Sequence, residues 1–183
     1  DDAWDRDRYL NIWVGTLAGG VVGYSSPLGG PKDKDGVVIR TDAFGPGASA
    51  IYAGGKTLVH EVGHWLGLRH IWGDASCGDD QVDDTPKQRS ANRGCPSGIK
   101  ITCDNAPYGD MYNNYMDQVN DECMVLFTKG QMNRMRAGFA IGGPRYALLS
   151  SDGYSGIPKE KPADLPHGEV TSVKLLQLYP NPT

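Results

Sequence analysis

The alternation of apolar and polar positions near the start of the chain predicts three short strands. Tyr9-Leu10-Asn11-Ile12-Trp13-Val14, Gly20-Val21-Val22-Gly23-Tyr24-Ser25 and Gly36-Val37-Val38-Ile39-Arg40-Thr41 are each rich in β-formers. Turn residues over 27–31 and 32–35 separate the last two. The period then changes over residues 57–66, where Leu58, Val62, Trp65 and Leu66 share one side of a helix and His60 and His64 the other. Such a helix grips a core with its apolar side and turns its histidines outward into a cleft, and Gly67 ends it in the left-handed region. A second helix opens on the capping box Thr128-Lys129-Gly130-Gln131, with Met132, Met135, Arg136 and Phe139 at helical spacing, and runs to about Ala140. Between the helices, residues 71–125 show little periodicity; an irregular stretch of that length needs disulfides or metal ions to hold it. From Gly142-Gly143-Pro144 to Pro166 the chain is rich in Ser, Gly, Pro and Lys and reads as a linker. The expected organisation is one domain over residues 1–148 with a linker and tail over 149–183, and no internal repeat.

Composition agrees with a single globular unit rich in loops: 39% of the 183 residues are hydrophobic, with 25 Gly and 12 Pro. A net charge of -4 excludes the basic footprint that a nucleic-acid partner demands. No run of eighteen apolar residues is present to span a membrane, and the first residues carry no signal peptide. A start at Asp1 is what a processed or trimmed chain is expected to show. Glu61, Glu122, Glu160 and Glu169 are the only glutamates; the remaining acids are aspartates, many in turn-like runs that suit both turns and calcium. Cys77, Cys95, Cys103 and Cys123 contain no Cys-x-x-Cys pair. Their even number in loop-rich sequence favours two disulfides and export, with three pairings open.

The chemistry concentrates in His60-Glu61-Val62-Gly63-His64-Trp65-Leu66-Gly67-Leu68-Arg69-His70. Histidines four apart on a helix stand about 5–6 Å apart at Cβ, a span that one zinc ion closes. Gly67 lets the chain turn sharply, so that His70 returns to the same ion. Three neutral imidazoles leave the fourth tetrahedral position to water, the mark of a catalytic zinc. Glu61 then stands where it can take a proton from that water as general base. His167, in the tail, reads as a solvated side chain.

This motif resembles the metzincin signature, and Asn114-Tyr115-Met116-Asp117, 46 positions beyond His70 at Met116, resembles the methionine turn of that class. The wording of the motif, with Val82-Asp83-Asp84-Thr85-Pro86 and Asp121-Glu122-Cys123-Met124, resembles the pappalysin family of the ulilysin and mirolysin type over roughly residues 9–140. The resemblance implies an α+β fold. A mixed twisted sheet and the active-site helix would lie above an irregular lower subdomain, stabilised by disulfides and calcium and closed by the C-terminal helix. It implies a secreted zinc endopeptidase acting on protein or peptide substrates, with residues 21–26 as an antiparallel edge strand that binds extended substrate and residues 37–41 as its inner neighbour. It selects Cys77 with Cys103 and Cys95 with Cys123. It implies a calcium site from the Asp80 carboxylate, the Val82 carbonyl and Thr85, with Asp74 as a further candidate ligand. It also implies that Asp121, five residues after Met116, recognises arginine, then lysine, directly after the scissile bond.

Two departures stand out. Gln118 occupies the position where many metzincins carry a tyrosine that helps stabilise the oxyanion, and the strand, helix and strand that usually precede the segment equivalent to Tyr9 are not found in the given sequence, as expected either of a chain trimmed upstream or of one that completes its sheet differently. Leu178-Tyr179-Pro180-Asn181-Pro182-Thr183 resembles the opening of a type IX secretion sorting domain. Two rival functions are an inactive binding protein on a peptidase scaffold, against which Glu61 weighs, and an adhesion module in which calcium and disulfides are the function.

Overall fold

The structure, a computed structural model, describes residues 3–45, 51–153 and 155. Three strands, β1 (Asn11–Gly15), β2 (Gly23–Ser25) and β3 (Gly36–Arg40), form a mixed sheet in the order β1-β3-β2. β3 runs parallel to β1 and antiparallel to β2, so β2 is the antiparallel edge strand and β3 its inner neighbour. β2 is shorter than its apolar run because Gly19 and Gly20 take positive φ and belong to the preceding turn. Backbone hydrogen bonds from Arg40 to Val22 and from Ser26 to Gly36 continue the pairing at both ends. Period-two alternation places Ile12, Val14, Val37 and Ile39 in one core with Leu10, Ala43 and Trp65.

That core is covered by α1 (Lys56–Trp65), which packs Leu58, Val62 and the following Leu66 against it. The histidine side of the helix faces a cleft, as the amphipathic pattern predicts, and is more closely packed than that pattern alone shows. His60 and Glu61 are each only 7% exposed and Gly63 is buried. A second cluster built on Leu68, Ile71 and Met116, with Phe127 and Met135, lies beneath the helix. A Cβ on Gly63 would stand 2.6 Å from Met116 Sδ. This contact explains a glycine in a helix interior, where it costs about 1 kcal/mol relative to alanine. At the end of α1, Gly67 (φ 91°) donates its N–H to His64 and Leu68 donates to Gly63, the paired bonds of a left-handed helix stop.

The lower half is irregular, as its sequence predicts: in residues 71–125 the described elements are a 3-10 turn at Asp121–Cys123 and an isolated bridge from Asn114 to Leu126. Disulfides Cys77–Cys103 and Cys95–Cys123 hold it, and their loops interlock in sequence. The second helix, α2 (Lys129–Ala137), carries the full capping box between Thr128 and Gln131. It stops short of Ala140 because the chain continues in tight turns from Gly138, whose carbonyl accepts the N–H of Arg145.

The run expected to be a linker instead begins inside the folded body. Arg145 is buried, and its Nη1 donates to both oxygens of the buried Asp35 carboxylate at 2.8 Å. Its guanidinium lies 3.7 Å over the Trp65 ring, and Asp35 also accepts from Trp65 Nε1 at 2.6 Å and from Arg6 Nη1 at 3.0 Å. Farther on, Gly153 accepts the Tyr9 hydroxyl at 2.7 Å. The packed body therefore extends beyond residue 148. His167 and the sorting-like motif at 178–183 lie outside the described residues.

Candidate metal centre and cleft

His60, His64 and His70 come together as the spacing of the motif predicts: one ligand atom from each lies within 4.8 Å of the others. Each Nδ1 faces an acceptor. His60 Nδ1 lies 2.7 Å from the Tyr115 carbonyl, His64 Nδ1 2.9 Å from the Leu68 carbonyl, and His70 Nδ1 2.5 Å from Asp74 Oδ1. An imidazole that donates from Nδ1 has a bare lone pair on Nε2. His60 Nε2 and His64 Nε2 are only 3.1 Å apart, so two lone pairs point into one small space. A cation between them resolves that conflict, and the spacing is close to what tetrahedral zinc requires at about 2.0–2.1 Å per bond. Burial, with the neighbouring His64 second, pushes His60 down to about 3, and burial also lowers His64, so both rings are neutral ligands at ordinary pH. The residues present fit zinc.

Glu61 stands beside this cluster on the buried wall of the cleft. Desolvation pushes its carboxyl up to about 7, the range in which a carboxylate becomes an effective proton acceptor near neutral pH. β2 passes directly over it: a Cβ on Gly23 would lie 3.0 Å from Glu61 Cγ. The cleft is lined by Gly23, Tyr24 and Ser25 of β2 on one side and by the three histidines, Glu61 and Gln118 on the other.

Met116 is fully buried below the histidines, held by Asn114 Oδ1 on its N–H. Asp121 is buried too, and its Oδ2 accepts the Lys56 N–H at 2.9 Å. It therefore caps the start of α1, where Gly55 offers no side chain, and it is not among the residues that line the open cleft. Asp80, Val82 and Thr85 do converge. Asp80 Oδ1 accepts the Val82 N–H, and Thr85 Oγ1 lies 2.8 Å from Asp80 Oδ1 and 2.7 Å from the Val82 carbonyl. One hydroxyl proton serves two acceptors there, and Asp80 Oδ2 is buried without a partner. Burial raises the Asp80 carboxyl, although hydrogen bonds from Thr85 and Val82 oppose the shift. Asp74, the further candidate ligand, pairs with His70. Sequence reading missed that pairing, although four-residue spacing from His70 was its available signal.

A mixed sheet over a helix that carries two of three converging histidines, a left-handed stop before the third and a buried methionine below it together define the metzincin class. The profile of the family described as Pregnancy-associated plasma protein-A, peptidase M43, matches residues 1–140, and the chain belongs to this pappalysin family. It is 41% identical over 137 residues to an extracellular metalloprotease of Pyricularia oryzae, covering 72% of this chain and 48% of that protein. To extracellular metalloprotease 1 of Coccidioides posadasii it is 41% identical over 135 residues, covering 69% and 48%. Mature mirolysin of Tannerella forsythia in complex with a cleaved peptide superposes with a TM-score of 0.76 at 46% identity, covering 80% of this chain and 58% of that one. The chain thus spans about half the length of the curated relatives it matches.

Proposed function

We propose that the chain is a secreted zinc-dependent endopeptidase. The observation that carries this reading is the convergence of one ligand atom from each of three histidines, with His60 Nε2 and His64 Nε2 3.1 Å apart, beside the buried Glu61 carboxylate under an open sheet edge. His60, His64 and His70 would hold zinc, which would supply Lewis acidity toward water and toward a carbonyl oxygen. Glu61 takes the proton of the attacking water as its oxygen bonds to the carbonyl carbon, and returns it to the amine nitrogen as the C–N bond breaks. β2 lends its outer edge to an extended substrate, and because Gly23 lies on Glu61, pairing there brings the peptide backbone over the base. The two disulfides and the extracellular metalloprotease names of the relatives support export. A type IX route rests on the motif at 178–183 alone.

Two finer assignments extend the reading. Calcium at Asp80, Val82 and Thr85 is supported by the surplus of oxygens over protons at that loop. Cleavage before arginine, then lysine, rests on the place of Asp121 five residues after Met116 and on the bidentate match of guanidinium and carboxylate, although that carboxylate also caps α1 and stands outside the residues lining the open cleft. The central test is Glu61→Ala. The variant keeps one zinc per chain by elemental analysis and loses roughly 10²–10⁴-fold in peptide hydrolysis. A variant with undiminished rate excludes Glu61 as the base.

A further inference from the structure

Arg69 lines the cleft beside the third histidine and is the one permanent cation among the described residues there. It is exposed and makes no hydrogen bond or ion pair with any described residue. Other charged groups by this turn are engaged. Asp74 Oδ1 is bonded to His70 Nδ1 at 2.5 Å, and Arg134 gives its Nε to the Gly67 carbonyl at 2.8 Å and its Nη2 to Gln81 Oε1 at 3.3 Å. Two close approaches orient the cleft around the remaining cation. A Cβ on Gly23 would lie 3.0 Å from Glu61 Cγ, and a Cβ on Gly67 would lie 3.0 Å from Leu28 Cδ2. β2 and the chain that continues it therefore run in the same sense as α1, from the base at Glu61 to the helix stop at Gly67, with Arg69 just beyond. An extended peptide that pairs with β2 antiparallel, the more stable ladder, runs the other way, so its residues before the scissile bond lie at the Leu28 and Arg69 end. The terminal carboxylate of such a peptide lies at the opposite end, so an anion that reaches Arg69 belongs to a side chain.

We propose that Arg69 is a specificity-determining residue that selects an aspartate or glutamate side chain within the three residues before the scissile bond. The inference rests on the peptidase reading above. Strand residues advance about 3.3 Å each, so three of them cover about 10 Å of cleft on that side of the bond. A carboxylate accepts two parallel N–H bonds from the guanidinium fork, and at an exposed site such a pair discriminates by about fivefold, less as salt screens it. Glutamine has the shape of glutamate without its charge, so the two compared isolate the ion pair. The preference is separate from that assigned to Asp121, which stands at the first turn of α1, the opposite end of the helix.

The test uses the full chain loaded with zinc. A quenched peptide that it cleaves is made with Glu, Gln or Lys at each of the three positions before and after the bond, and kcat/KM is measured for every version. At low salt the Glu peptide exceeds its Gln counterpart about fivefold at one position before the bond, and the ratio approaches one at about 1 M salt. In Arg69→Met the ratio falls to about one at low salt, and in Arg69→Glu the Lys peptide overtakes the Glu peptide about fivefold. Arg69→Lys, which keeps the charge without the fork, retains a reduced preference for Glu. Ratios are read rather than rates, so a variant that folds or takes up zinc in smaller amount still answers. Equal kcat/KM for Glu and Gln peptides in the unaltered chain, or a preference that survives in Arg69→Met, overturns the assignment and leaves Glu61 and the histidines untouched. So does an acid preference that depends on Arg69 but falls after the bond, since the peptide then runs the other way. A peptide library that the unaltered chain leaves intact overturns the peptidase reading together with this one.

Discussion

At the scale of single residues, Gly63 and Asp121 show how much of the site depends on contacts outside the zinc motif. Gly63 has Met116 against its α-carbon, so Gly63→Ala must displace either the sulfur or the helix. Overpacking of this kind costs about 1–3 kcal/mol. Chemical unfolding should show that loss, and zinc should dissociate at lower chelator concentrations because His60 and His64 move with the helix. Asp121 separates two roles by substitution. Asp121→Asn keeps an oxygen for the Lys56 N–H, whereas Asp121→Ala removes the cap, which is worth about 0.5–2 kcal/mol. Thermal melting should therefore fall for Ala and hold for Asn, while cleavage profiling should show both losing preference for arginine after the scissile bond. Retained preference in both variants would overturn Asp121 as the recognition group and leave the cap intact. The three histidines proposed to hold zinc are legible in the sequence because their geometry is local, one helical turn followed by a glycine stop. Their Nδ1 partners are not: Tyr115 reaches His60 across 55 positions, and a main-chain carbonyl leaves no trace in residue type.

At the scale of elements, the sheet and both helices follow from periodicity, with boundaries altered by particular residues: Gly19 and Gly20 shorten β2, and the turns after Gly138 shorten α2. Burial of the histidine side of α1 escapes the period because the covering segment around Met116 belongs to the stretch without one. The same stretch contains the loop at 80–85, which is ordered around a buried carboxylate oxygen with no donor. A ligand that binds only the native state stabilises it, so removal of calcium with zinc buffered should lower the melting temperature, and added calcium should restore it. Asp80→Asn should melt at the calcium-free temperature and no longer respond to calcium. An unchanged melting temperature on chelation would exclude the site.

At the scale of the whole molecule, the segment after α2 closes the fold. Arg145, Asp35, Arg6 and Trp65 join the first turn, the start of β3, the end of α1 and the chain beyond α2 in one buried cluster. Removing one partner of a buried ion pair costs about 3–5 kcal/mol, because the other charge is left in a medium that cannot solvate it. Arg145→Met should lose stability toward the lower end of that range, since Arg6 still reaches Asp35, and urea denaturation measures it. The consequence reaches the choice of where to cut the gene. The family profile matches residues 1–140, and a recombinant fragment designed to that limit would keep His60, His64 and His70 yet omit the counter-ion of Asp35. Such a product should accumulate in inclusion bodies, whereas one that ends at residue 155 retains the closing segment and should remain in the soluble fraction.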